Sequence, residues 1–85
     1  MFYLYILKSQ KSGRLYFGYT SNLKKRFEQH NKGMVTATKT YCPWKLIYYE
    51  AYSTKQEAIK RENNLKLRAN AWNQLKLRIK DSITS

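Results

Sequence analysis

Cysteine and acidic side chains are scarce in this chain of 85 residues, and proline, glycine and long apolar runs are scarce too. The single cysteine, Cys42, allows no internal disulfide and no zinc site built from several thiolates. No apolar run approaches the roughly 20 residues of a membrane-spanning helix. The chain enters a strand-like run at Phe2 without a basic leader, so no secretory signal peptide is visible. We therefore expect a cytoplasmic protein with no membrane partner.

The shortage of acidic residues leaves a strong positive charge. Seventeen Lys and Arg residues against five Asp and Glu residues give a net charge of +12, of which residues 1–43 carry +7 and residues 44–85 carry +5. The charge therefore belongs to the whole surface and not to a tail. Such a field attracts polyanions, which makes nucleic acid the leading partner class.

The turn and cap residues divide the chain into six regular segments within one domain covering residues 1–85. Ser12 and Gly13 separate two β-rich runs, Gly33 is placed to end the first helix, and Thr54 with Glu57 matches a capping box. The order ββαβαα predicts an α+β fold, a small three-stranded antiparallel sheet flanked by helices. The expected segments are strands at 2–7, 15–19 and 45–52 and helices at about 22–31, 54–68 and 70–80. Residues 34–41 are expected to form a Thr-rich loop.

Glu62 is the least expected residue of these segments. At helical spacing it lies between Ala58, Ile59 and Leu65 on an apolar arc. A carboxylate is almost never buried without a partner, so Glu62 is predicted either to pair with a cation or to hold a metal ion.

The first helix carries a similar anomaly. Leu23 and Phe27 form its apolar stripe, while Arg26 and His30 lie along the edge of that stripe. From there the two groups could meet the hydroxyls of strand tyrosines. Taken singly, each has an ordinary interpretation, since tyrosines commonly pack and charged helix edges are commonly solvated.

These residues resemble the GIY-YIG endonucleases, named after two tripeptides on adjacent strands. Residues 3–5 (Tyr-Leu-Tyr) correspond to the first tripeptide and residues 16–18 (Tyr-Phe-Gly) to the second. The first Gly and Ile of the name are replaced by Tyr3 and Leu4, and the second Ile by Phe17. The match continues through Arg26, His30, Pro43-Trp44 and Glu62 and covers about residues 3–67. Among the family, the chain most resembles small stand-alone bacterial members.

The resemblance implies metal-dependent hydrolysis of phosphodiester bonds. In that chemistry Glu62 would hold one Mg²⁺ or Mn²⁺, and Arg26 would stabilise charge on the phosphoryl oxygens. Tyr5 is the candidate base, provided that a neighbouring cation lowers its pKa. Tyr16 and His30 would position phosphate and water, or His30 would supply a proton. The auxiliary Asn of many members has no assigned counterpart, since Asn70 and Asn73 match it only loosely.

The expected function is thus a DNA endonuclease, with repair structures such as branched, flapped or damaged DNA as candidate substrates. DNA is favoured over RNA, and a monomer or weak dimer is expected. The alternative is a catalytically silent nucleic-acid-binding module on the same fold, which would lack divalent-metal dependence. Four basic residues are expected to contact nucleic acid: Lys24, Lys25, Lys39 and Arg61.

Overall fold

A three-stranded antiparallel sheet, with the strand of residues 2–9 between the strands of residues 15–20 and 44–52, forms the centre of the molecule. The computed structural model describes residues 1–84. The elements are β1 (Phe2–Ser9), β2 (Leu15–Thr20), α1 (Leu23–Asn31), a 3₁₀ helix (Lys39–Tyr41), β3 (Trp44–Tyr52), α2 (Lys55–Leu67), α3 (Ala69–Arg78) and α4 (Lys80–Thr84). The predicted α+β class and the three-stranded sheet are confirmed. The expected helix at 70–80 is instead two helices, α3 and α4, with Ile79 between them.

The central strand β1 is buried on both faces, and its alternating side chains separate two apolar clusters. Leu4 and Ile6 pack on one face with Leu65 of α2 and Leu75 of α3. Tyr5 and Leu7 point to the opposite face, where they meet Trp44 and the half-buried stripe of α1. The sheet therefore lies between α2 and α3 on one side and α1 on the other.

Local capping contacts set the ends of α1 and α2, and those at Gly33 and Thr54 are the ones expected from the sequence. The Asn22 side chain accepts a hydrogen bond from the Lys25 amide at 3.1 Å, and Gly33 ends α1 in a left-handed conformation with φ of 72°. Thr54 caps α2 by accepting from the Glu57 amide at 3.3 Å. These contacts satisfy amide groups that a helix leaves unpaired at its N-terminus.

The connection between α1 and β3 is packed rather than loose. Thr38 is fully buried, and its carbonyl accepts from the Trp44 indole nitrogen at 3.0 Å. The Asn31 side chain donates to the Trp44 carbonyl at 3.0 Å. The predicted Thr-rich loop is thus tied to the helix before it and to the strand after it.

Within residues 1–84 no helix has both the length and the apolar character needed to cross a bilayer.

Candidate active site

Two strands of the sheet and one helix from each side of it supply the side chains of one cleft. Its volume is about 630 Å³, and four of the five predicted catalytic residues line it: Tyr5 from β1, Tyr16 from β2, Arg26 from α1 and Glu62 from α2. The helix α2 packs on the opposite face of the sheet from α1, yet Glu62 reaches the same cleft as Arg26. The fifth residue, His30, lies behind Tyr5 and is not part of the lining.

Gly18 makes room for Tyr5. The two residues are paired across β1 and β2, so their side-chain positions share a face of the sheet. A Cβ on Gly18 would lie 2.5 Å from the Tyr5 hydroxyl oxygen and 2.6 Å from Cζ. The phenol ring therefore crosses directly over the Gly18 backbone, which only a residue without a side chain permits.

A chain of hydrogen bonds fixes Tyr5 from within the protein. Its hydroxyl lies 2.8 Å from His30 Nε2, and His30 Nδ1 lies 2.7 Å from Thr38 Oγ1. The Thr38 hydroxyl donates to the Val35 carbonyl at 3.4 Å. We therefore assign the His30 proton to Nδ1, which leaves Nε2 to accept from the Tyr5 hydroxyl.

His30 differs from its expected position at the edge of the apolar stripe. Its side chain is fully buried, whereas Leu23 and Phe27 are only half-buried. The ring packs against Tyr16 with centroids 5.1 Å apart and against Tyr5 at 5.6 Å. The imidazole is therefore buried at the centre of this face of the sheet. It can be buried there because Tyr5 and Thr38 each provide a hydrogen-bond partner for one ring nitrogen.

Burial keeps both Tyr5 and His30 neutral at pH 7. It raises the pKa of Tyr5 to about 12, although a hydrogen bond from Arg26 acts in the opposite direction. Burial, with the nearby Arg26 charge, lowers the pKa of His30 to about 4. The condition attached to Tyr5 as a base, a neighbouring cation that lowers its pKa, is not met in this arrangement, because desolvation of the phenolate outweighs the guanidinium.

Arg26 is half-buried on the cleft-facing side of α1. Its Nη1 donates to Gln29 Oε1 at 3.2 Å, one turn further along the helix. Because this contact holds the guanidinium without neutralising it, Arg26 keeps its full charge for an anion in the cleft.

Glu62 forms an ion pair within its own helix. Lys66 Nζ lies 2.8 Å from Glu62 Oε1, and 14% of the Glu62 side chain is exposed against 45% of the Lys66 side chain. The first alternative for Glu62, pairing with a cation, is met by Lys66. Glu62 also lines the cleft, and its role in holding a metal ion stays a prediction.

The donors around Glu62 suit a hard cation. Residues 1–84 contain no group of three or more His, Cys, Asp or Glu side chains that could hold a metal between them. One carboxylate in a polar cleft leaves most of the coordination sphere to water, an arrangement that Mg²⁺ accepts and that zinc sites seldom use.

The four basic residues expected to contact nucleic acid lie in different environments. Lys25 lines the cleft, and Lys24 lines a neighbouring groove. Lys39 is exposed on the 3₁₀ helix. Arg61 lies on the α2 side of the sheet, where it makes two hydrogen bonds of 2.9 and 3.1 Å to the Glu50 carboxylate.

The Glu50 carboxylate anchors Arg61 within a compact polar network. Tyr48 and Tyr52 also donate to it, and all three residues share a face because they follow each other at alternate positions of β3. Burial alone would raise the pKa of Glu50, but the hydrogen bonds from Arg61 and the two tyrosines hold it below its ordinary value. The Arg61 charge is therefore already engaged by a carboxylate.

Sequence reasoning missed two side chains that complete the site. Lys66 had a usable signal, since it follows Glu62 by four residues on a predicted helix and such pairs face each other. No feature of the sequence indicated Thr38, because its contact with His30 depends on how the connection between α1 and β3 folds back.

The chain belongs to the GIY-YIG family, a nuclease-type family, because the model of the GIY-YIG catalytic domain matches residues 1–76. Its relatives are UPF0213 proteins, which are small stand-alone GIY-YIG proteins. The UPF0213 protein SSP2268 of Staphylococcus saprophyticus is 45% identical over 65 residues, which cover 75% of this chain and 78% of that relative. A UPF0213 protein of Staphylococcus aureus strain Mu3 is 43% identical over the same coverage.

A solved structure shares the fold. The solution NMR structure of the UPF0213 protein BH0048 from Bacillus halodurans matches with a TM-score of 0.53 and 32% sequence identity, covering 88% of this chain and 82% of that one. The names of these relatives specify no reaction.

Proposed function

We propose that this protein is a divalent-metal-dependent endonuclease that hydrolyses phosphodiester bonds in DNA. The observation that carries the proposal is the convergence of Tyr5, Tyr16, Arg26 and Glu62 on one cleft. A carboxylate, a permanent cation and two phenols in a polar cleft can together hold a metal ion, stabilise charge on a phosphate and hydrogen-bond its oxygens, which suits phosphodiester hydrolysis. The net charge of +12 supports a polyanionic substrate.

Glu62 would hold one Mg²⁺ or Mn²⁺ through its carboxylate. When bound, such an ion stabilises negative charge on the phosphoryl and leaving oxygens. Lys66 Nζ lies 2.8 Å from Glu62 Oε1 and would have to leave that oxygen for an ion to take it. Its half-exposed ammonium is then free to contact a phosphate at the rim of the cleft.

Arg26 would bind the phosphate that is cut. Its planar guanidinium donates two parallel hydrogen bonds to phosphoryl oxygens and does not lose its proton at neutral pH. The Gln29 contact orients it, and Tyr16, also in the lining, offers a hydroxyl to the same phosphate.

Tyr5 and His30 would move the proton of the attacking water as a relay. A free Tyr5 phenolate is unfavourable at pH 7 because burial raises the pKa of Tyr5 to about 12. A relay forms no phenolate: the Tyr5 oxygen accepts a proton from water while its own proton passes to His30 Nε2, 2.8 Å away. Because the pKa of His30 is about 4, the imidazolium is short-lived and passes its proton back through Tyr5 to the cleft, where the leaving oxygen takes one up. Thr38 holds the imidazole in the required tautomer.

A catalytically silent nucleic-acid-binding module is the second candidate. The Glu62 ion pair with Lys66 favours it, since a lysine that kept the carboxylate permanently would exclude a metal. Metal dependence of cleavage separates the two candidates.

Cleavage assays with a Glu62→Gln variant test the proposal. The wild-type chain and the variant are incubated with end-labelled single-stranded, duplex, flap and four-way-junction DNA in Mg²⁺, Mn²⁺ or EDTA. We expect cleavage by the wild type in either metal, none in EDTA, and a loss of at least about 100-fold in the variant, as for other electrostatic groups at reacting centres. DNA binding in EDTA should remain in the variant.

Glu28→Gln serves as the matched control, because Glu28 is an exposed carboxylate on α1 outside the cleft. It should cut at the wild-type rate. Cleavage by Glu62→Gln at that rate would refute the metal assignment, and DNA binding without cleavage by the wild type would establish the binding module.

A further inference from the structure

A second groove adjoins the cleft on the α1 side of the sheet. Its volume is about 550 Å³, and its lining is mostly apolar and aromatic, with Tyr3, Phe27 and Tyr49 as the rings. Ser21 and Asn22 line both the groove and the cleft, so the two spaces are neighbours. We call this space, lined by Tyr3, Leu23, Lys24, Phe27, Leu46 and Tyr49, the aromatic groove.

Sheet geometry places the tyrosines of the aromatic groove next to Tyr5 of the cleft. Tyr49 is paired with Tyr5 across β3 and β1, and Tyr3 precedes Tyr5 by two residues on the same strand. Directly paired residues and residues two apart share a face of a sheet. Tyr49 therefore extends the row of rings from Tyr5 toward the β3 edge, and Tyr3 extends it along β1.

Tyr49 is unusually open for an aromatic residue beside a core. Its side chain is 53% exposed, and its ring meets Tyr3 edge-on at a centroid distance of 6.0 Å. An edge-on contact leaves the face of a ring uncovered. Lys24, exposed on α1, adds a positive charge to the lining of the groove.

We propose that the aromatic groove binds one unpaired nucleobase next to the phosphate in the cleft, an inference that rests on the proposed function. Exposed ring faces suit a base, and Lys24 suits the phosphate that accompanies it. Continuity with the cleft and the net charge of +12 make nucleic acid the occupant that fits this charge pattern. Since a base inside a duplex is stacked and paired, only an unpaired or extruded base enters. The preferred substrate then carries an unpaired nucleotide beside the scissile phosphate.

Binding measurements in EDTA test this subsite without requiring cleavage. Fluorescence anisotropy compares a labelled duplex with the same duplex carrying a single-stranded flap, for the wild type and for Tyr49→Ala and Tyr49→Phe. We expect the wild type to prefer the flap, Tyr49→Ala to bind the flap about tenfold more weakly through loss of a stacking partner, and Tyr49→Phe to match the wild type. Duplex binding and the salt dependence of binding should be equal in all three, because no phosphate contact is removed.

Tyr49→Leu provides a second variant, since it keeps the apolar bulk if Tyr49→Ala folds poorly by circular dichroism. A measurement on the wild type alone uses 2-aminopurine at the first unpaired position of the flap, whose fluorescence should be quenched on binding. Unquenched fluorescence, or a flap preference preserved in both Tyr49→Ala and Tyr49→Leu, overturns the subsite and leaves the nuclease proposal intact. If the wild type binds neither the duplex nor the flap DNA, both the base subsite and the nuclease proposal are overturned.

Discussion

Gly18 controls the position of the Tyr5 hydroxyl, and its replacement is the smallest change that should disable the site. In Gly18→Ala the new methyl group would lie about 2.5 Å from the Tyr5 hydroxyl oxygen. The phenol must then move, breaking its bond to His30, so we expect cleavage to fall by 10-fold or more. Overpacking of this kind also costs about 1–3 kcal/mol of stability. Cleavage rates and urea unfolding measure the two effects.

Gly13→Ala is the matched control for that experiment. Gly13 lies in the β1–β2 turn with φ of 77°, and a Cβ there meets nothing within 4 Å. The substitution strains the backbone by about 1 kcal/mol without touching Tyr5. If Gly13→Ala lost as much cleavage as Gly18→Ala, general destabilisation rather than displacement of Tyr5 would explain both.

His30 should make stability depend on pH between about 7 and 5. Its pKa is about 4 in the folded protein against an ordinary 6.5, so the unfolded chain binds more protons in this interval and stability falls as the pH falls. We expect a loss of about 2 kcal/mol from pH 7 to pH 5. Because the chain has one histidine, urea unfolding at these two pH values assigns the effect.

His30→Gln tests that assignment. The variant should be less stable at pH 7 but almost independent of pH from 7 to 5, because the carboxylates titrate mainly below pH 5. A pH dependence equal to that of the wild type would show that another group is responsible.

The helix α2 shows what the sequence could and could not predict. The capping box predicted that α2 starts at Thr54, and Thr54 caps it. Periodicity predicted that Ala58 and Leu65 face the core, and both are buried. In α1 the same reasoning failed for His30, because periodicity ranks residues by polarity and does not foresee that a loop threonine and a strand tyrosine satisfy both ring nitrogens. Contacts within one helix could be predicted from the sequence, whereas contacts that depend on tertiary folding could not.

The ion pair within α2 predicts competition between Lys66 and the metal. An ion pair at i, i+4 contributes about 0.3–0.5 kcal/mol. Lys66→Met should therefore strengthen Mn²⁺ binding about twofold or more, because loss of the repulsion between the Lys66 ammonium and the ion adds to the gain. Isothermal titration calorimetry with Mn²⁺ measures it.

Lys60→Met removes the same charge from an exposed position of the same helix outside the cleft, and it should leave the Mn²⁺ affinity almost unchanged. In a Glu62→Gln background, which lacks the carboxylate that holds the ion, Lys66→Met should give no measurable gain in Mn²⁺ affinity. Equal affinities for the wild type and Lys66→Met would mean that Lys66 does not compete for Glu62.

The whole molecule carries its charge on both halves, yet only part of that charge can contact one nucleic acid. Arg61 is engaged by Glu50 on the α2 side of the sheet, whereas Lys24 and Lys25 line the aromatic groove and the cleft. A long-range field acts on approach, while counterion release counts the phosphates that are neutralised on binding. The salt dependence of binding therefore distinguishes cations in contact from cations that only contribute to the field.

We expect Lys24→Ala and Lys25→Ala each to reduce the slope of log K against log salt concentration by about 0.9, the value for one duplex phosphate. Arg61→Gln removes an equal charge and should leave the slope unchanged, although it weakens folding because the Glu50 carboxylate loses its cationic partner. Anisotropy titrations of duplex DNA from low to moderate salt, in EDTA, measure all three. A shallower slope in Arg61→Gln would mean that Arg61 leaves Glu50 to bind phosphate, and the nucleic-acid surface would then extend around the sheet to α2.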